Sequence, residues 1–143
     1  MASGAAFSPG ETAEAVTPPS LTAVANADAA HAAGRHTEAA EAYQALAQAS
    51  PRNAYFWFRL GSCRLQLRQH AQAITALEQA VALDPHEGRF AYNLAMAHSA
   101  VARDAFAQAR AQLPPGSPWR SAAQQHRLLL DSVLGPPPEA GQP

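Results

Sequence analysis

Apolar residues recur along this chain at the three- and four-residue spacing of helices, and strand-like alternation is absent. The clearest stripe is Ala73, Ile74, Leu77, Ala80 and Val81, with Gln72, Glu78 and Gln79 lying off it. Ahead of it, Trp57, Leu60 and Leu65 mark another helix, and small Gly61 allows close approach of a neighbour. The two predict a helical hairpin. Upstream, Ser20 is a fitting N-cap for a helix from Leu21 through Val24, Ala27 and His31 to Gly34. A second then carries Ala39, Tyr43 and Leu46 and stops at Pro51. No glycine or proline interrupts 89–113, so that stretch is either one long helix or, the reading preferred here, two helices with a turn around Val101–Asp104 and Asp104 as N-cap. The run Pro114-Pro-Gly-Ser117-Pro118 breaks the chain, with Ser117 as cap and Pro118 in the first helical position. A last helix runs from Trp119 to Leu134, ended by Gly135. The fold class is all-α.

Pro51 and Pro85 stand 34 residues apart, and each ends a helical run because proline lacks the N–H donor and disfavours α conformation before it. Between them Trp57, Leu60, Gly61, Ala73, Ala80 and Pro85 match the pattern W-x2-L-G-x2-Y…A-x3-F…P, with Arg64 at the Tyr place and Leu77 at the Phe place. The stretch resembles the tetratricopeptide repeat family. Ala39 and Tyr43 fill the A-x3-F places of a degenerate first unit, and Leu94-Ala95 fill the Leu-Gly places of a third. The resemblance implies a short α-solenoid of about three helix-turn-helix units, 20–52, 53–86 and 87–114, with a capping helix at 118–134. Stacked units leave an apolar face at each end, so Trp119, Leu129, Leu130 and Val133 are expected to seal the array. So short an array is expected to be completed by a partner or by homo- or hetero-dimerisation. Residues 1–19, with four prolines and glycines besides Pro19 and few large apolar groups, are expected to be a disordered tail, and 135–143 a Pro-rich one.

A chain of 143 residues with net charge −1 is one domain, and its charge does not favour nucleic acid or an anionic membrane surface. All ten basic residues are arginine, which suits a GC-rich bacterial genome. Cys63 stands alone and cannot form an internal disulfide. No apolar run approaches the roughly 20 residues of a spanning helix, and residues 1–7 lack the features of a secretory signal, so a cytoplasmic protein is expected. His31, His36, His70, His86, His98 and His126 are scattered without metal-ligand spacing. Glu38, Glu41, Glu78, Glu87 and Asp131 are spread along predicted solvent faces rather than converging. No phosphate loop or nucleophile motif occurs. The expectation is a protein without enzymatic activity, metal or cofactor.

In the resembled family the working surface is a concave groove lined by the first helix of each unit. Carried over residue by residue, that gives Tyr55, Phe58, Arg59, Ser62 and Gln66 in unit two, and Arg89, Tyr92, Asn93 and Met96 in unit three. Unit one adds Leu21, Val24, Asp28 and His31. Val24 and Asp28 stand where chaperone-tail clamps of this family use Lys and Asn, so that clamp is broken here. The segments Phe56-x-Phe58-Arg-Leu60-Gly-Ser-Cys63-Arg and Asp84-Pro-His-Glu87-Gly-Arg89-Phe90-Ala-Tyr92 also resemble the small chaperones of bacterial type III secretion. That resemblance implies a cytosolic chaperone holding a peptide or apolar segment of an export substrate. The alternative is a structural adaptor within a larger complex.

Overall fold

Among the described residues six helices follow one another: α1 (Leu21–Ala32), α2 (His36–Ala49), α3 (Ala54–Gln66), α4 (His70–Leu83), α5 (Gly88–Gln112) and α6 (Pro118–Leu134). The computed structural model describes residues 18–135, and the tails expected before and after them lie outside the described residues. Each helix packs on the next in sequence, and α3 also touches α5. This is the all-α fold that the periodicity predicts and the short solenoid that the repeat resemblance implies.

The helix starts follow local chemistry. Ser20 Oγ accepts from the Ala23 N–H at 3.1 Å, Asn53 Oδ1 from Tyr55 at 3.1 Å, and Glu87 Oε1 from Arg89 at 3.1 Å. Each satisfies one of the donors that a helix leaves free in its first turn. Pro118 opens α6 as expected, although Ser117 makes no side-chain cap bond.

The 34-residue period governs the backbone as well. Gly34 turns α1 into α2 with φ +74°, and Arg68 turns α3 into α4 with φ +59°. The bonds repeat too: Arg35 N–H donates to Ala30 O, and Gln69 N–H donates to Arg64 O, both at 2.9 Å. A non-glycine side chain in this left-handed region is disfavoured by its Cβ. The equivalent third position is Ala102, and there the expected turn is absent. Residues 88–112 form one 25-residue helix. Ala, Arg and Gln are strong helix formers, and no residue between 89 and 112 favours left-handed backbone strongly enough to stop propagation. Asp104, expected as an N-cap, lies within α5 and pairs instead with Arg103 at 3.0 Å.

Two clusters make the core. One joins Ala27, Ala30, Ala39, Tyr43, Leu46, Phe56, Leu60 and Cys63 across α1–α3. The other joins Ala73, Leu77 and Ala97, flanked by Phe58, Leu65, Ile74 and Leu94. Alanine lets the helix axes approach, and the few large side chains fill what remains. Gly61 performs the role read from its position: a Cβ there would stand 2.5 Å from Leu77 Cγ. Burial pushes the Cys63 thiol up to about 11, so it behaves as a small core hydrophobe.

The last helix covers α5, but the residues expected to seal the array do not all do so. Trp119, Leu129 and Val133 are 75%, 63% and 62% exposed, and Leu130 is half-buried. On the α6 wheel Leu129 and Val133 lie off the face that carries buried Ala123, whereas Leu130 and Trp119 share that face, Trp119 one turn nearer the helix start. An apolar stripe therefore stays open at this end.

His70 sits at the start of α4 against the middle of α5, with Nε2 3.6 Å from Asp104 Oδ2 and neither ring nitrogen hydrogen-bonded. Burial, then the charges of Arg103 and Arg68, holds its imidazole below the ordinary 6.5, against the pull of Asp104. His31 is depressed as well, first by burial. An unfolded chain with ordinary histidines then binds more protons below pH 6.5 than the folded one, so stability is full above that value and falls on acidification. The urea midpoint is expected to drop from about pH 7.5 to about pH 5.5, and to drop less in His70→Asn. A rise would show that the Asp104 pairing dominates.

Candidate functional site

The first helices of successive units are α1, α3 and α5, and polar side chains join them. Asp28 of α1 accepts hydrogen bonds at Oδ1 from the hydroxyls of Tyr43 and Tyr55, the latter at 2.9 Å. Because the single Tyr55 proton points to Asp28, the hydroxyl oxygen is free to accept from Arg59 Nε, which donates to it at 2.8 Å. The Arg59 guanidinium lies 5.0 Å from the Tyr55 ring centroid, within cation–π range. One turn further along α3, Ser62 Oγ donates to Phe58 O at 2.8 Å and accepts from Asn93 Nδ2 of α5 at 2.9 Å.

Electrostatics follow from this chain of contacts. Partial burial works against the ionised Asp28 carboxylate, but the two tyrosine hydroxyls and the Arg59 charge outweigh it and hold the carboxyl below its ordinary value. Tyr43 is pushed well above the ordinary phenol range, first by burial and then by its bond to Asp28. Arg59 is raised: burial opposes its charge, and the Tyr55 bond, with the tyrosine oxygens and the Asp28 carboxylate nearby, more than compensates. At neutral pH the surface carries a fixed carboxylate, a fixed guanidinium and, beside them, a neutral His31 that meets Tyr43 edge-on at 6.5 Å.

Of the groove residues named from the sequence, Tyr55, Arg59, Ser62, Asn93, Asp28 and His31 are thus brought together or linked. Tyr92 projects at 64% exposure. Met96 and Val24 are half-buried, Gln66 is exposed, and Leu21 is 89% exposed. Phe58 stacks against Phe90 at 4.8 Å and packs on the Leu77 cluster, so it serves the fold. Arg89 turns back onto Glu87, 2.7 Å away, and its side-chain and then its backbone bonds hold that carboxyl down at about 2. Sequence reasoning missed the Tyr43 hydroxyl, having read Tyr43 only as a core position. The available signal was a phenol where the pattern asks for Phe, with an unmatched carboxylate on the preceding helix. Among the described residues no three His, Cys, Asp or Glu side chains gather as a metal ion requires, and no helix is long and apolar enough to cross a membrane.

The tetratricopeptide repeat family model matches residues 24–88 and again 64–118, together well over half of the chain. This chain is a tetratricopeptide repeat protein. A 66-residue stretch is 36% identical to the peroxisomal targeting signal receptor of Yarrowia lipolytica, a match covering 46% of this chain and 11% of that receptor. The chain therefore spans about a tenth of the relative it matches. Tetratricopeptide repeats are protein-interaction modules, which places protein or peptide partners first among its ligands.

Proposed function

We propose that this protein is a non-enzymatic binder that holds an extended segment of a partner protein along the α1–α3–α5 surface. The observation that carries the reading is the run of bonds Asp28–Tyr55–Arg59 and Ser62–Asn93, which orders the surface before any ligand arrives. Preorganisation of this kind lowers the entropy lost on binding. Arg59 and Asn93 would fix the segment's polar groups, and Tyr92 and Met96 would supply contact area. Similarity to a targeting-signal receptor supports a peptide ligand. The finer reading is a cytoplasmic chaperone of the type III secretion kind, masking an apolar part of an export substrate.

The test is affinity capture of the tagged protein from its own organism at low and high salt, with Tyr92→Ala beside the wild type. Tyr92 is exposed, so its truncation should leave the thermal midpoint in place while weakening a stoichiometric partner about tenfold. Unchanged capture would refute the groove reading. The open stripe of Trp119, Leu129 and Val133 supports a second reading, an adaptor with two binding surfaces. Loss of one partner in Leu129→Glu, with another retained, would select it.

A further inference from the structure

Along α6 the residues Trp119, Ala122, His126, Leu129 and Val133 stand three, four, three and four positions apart. That is the heptad spacing of a seam along which one helix packs against another. The seam borders the Ala123 face that α6 turns to α5, with Trp119 where the two meet, and it is largely open: Trp119, His126, Leu129 and Val133 are exposed and Ala122 is half-buried. Its one polar side chain is held in place. His126 Nδ1 meets the Ala122 carbonyl oxygen at 2.8 Å, and the imidazole stacks on Phe106 of α5 with centroids 5.0 Å apart. One ring nitrogen is thereby satisfied within the chain before anything covers the seam.

We propose that the occupant of this seam is α6 of a second copy of the chain, lying antiparallel in a two-fold dimer. It takes the surface that the adaptor reading assigns to a different protein. An antiparallel copy brings Val133 of the second chain onto Ala122 and its Leu129 onto His126, and the two-fold axis repeats both layers. Each layer sets a branched side chain against a small or flat one. Trp119 then extends past the last layer and covers the end of the second copy's α6. A parallel copy would instead crowd Trp119 on Trp119 and His126 on His126 while leaving Ala122 against Ala122, which packs poorly. The flanks of the seam are Ala123 and Leu130 on one side and Gln125 and Ser132 on the other, and none is charged. Charges at such flanks select an unlike helix or repel an identical one, and here neither effect operates. The area sets the strength. With 17 residues α6 is about 25 Å long, and two such helices side by side cover on the order of 1,000 Å² in total, the lower limit for a specific interface. The dimer is therefore weak and exchanges with single chains.

The test is analytical ultracentrifugation of the full chain from about 2 to about 200 μM, a range that brackets a micromolar association. The average mass should rise with concentration from the 15.0 kDa of one chain towards twice that value. Val133→Glu should hold it at one chain throughout and leave the helical circular dichroism and the thermal midpoint at low concentration in place, because Val133 faces solvent. Cysteine pairs read the orientation. Ala122→Cys chains mixed with Val133→Cys chains should form disulfide-linked mixed dimers under mild oxidation, and neither should link to itself; Cys63 is buried and takes no part. A mass that stays at one chain up to the highest concentration, which would leave the seam to a different protein, would overturn the assignment. So would a dimer that survives Val133→Glu, or Cys variants that link to themselves and not to each other. Tyr92→Ala, in the groove, should leave self-association unchanged, so failure of either reading leaves the other standing.

Discussion

Leu77→Ala is expected to lower the unfolding free energy by about 2–5 kcal/mol, a large share of the roughly 5–15 kcal/mol that holds a domain together. Leu77 is fully buried at the centre of the second cluster, between α3, α4 and α5. The alanines around it have no side-chain length with which to fill the vacated space. Gly61→Ala is the reciprocal experiment. Its new Cβ would meet Leu77 Cγ at 2.5 Å, Leu77 Cδ2 at 2.9 Å and the Ala73 carbonyl oxygen at 3.3 Å, so α3 and α4 must part or Leu77 must leave its rotamer. Overpacking of that kind costs about 1–3 kcal/mol. Because the two substitutions act on one contact, the double variant should be more stable than the sum of the singles predicts, by at least about 0.5 kcal/mol. Urea unfolding of the four proteins measures this coupling. Strict additivity would mean that Gly61 and Leu77 are not in contact.

The second large effect is Tyr43→Phe, expected to destabilise by about 1.5–3 kcal/mol at neutral pH, the range for a hydrogen bond to a charged partner. The ring stays, so packing is conserved, and the loss falls on the Asp28 carboxylate and through it on Tyr55 and Arg59. The pH dependence has a definite sign. Asp28 is held below its ordinary 3.8, so its contribution is complete above that value and disappears as pH falls through the lower folded value. The gap between wild type and Tyr43→Phe should therefore be widest near neutrality and should narrow once Asp28 is protonated. A gap independent of pH would remove the carboxylate from the account and leave only a packing difference.

The same network shows why site residues are harder to read than folds. Arg59, Asn93 and Tyr92 can be named from sequence as groove candidates because a helical repeat assigns each position a face. That Asp28 would join Tyr43 and Tyr55 was not legible, because those residues lie 15 and 27 positions apart along the chain and meet only once α1, α2 and α3 are stacked. Phe58 is ambiguous from sequence for a related reason: a large aromatic at a groove position can face a ligand or the next helix, and here its ring, half-buried, meets Phe90 with centroids 4.8 Å apart.

By itself the sequence determined five of the six described helices, the Ser20 cap, the 34-residue period and the glycine that α4 crowds, because spacing, proline and capping chemistry act over a few residues at a time. Only the tertiary structure decided that α5 runs unbroken through the third turn position, where strong helix formers met no left-handed competitor. Tertiary structure also left Trp119, Leu129 and Val133 in solvent: α6 sits on α5 through the Ala123 face, Leu129 and Val133 lie off that face, and Trp119 stands at the first turn of the helix.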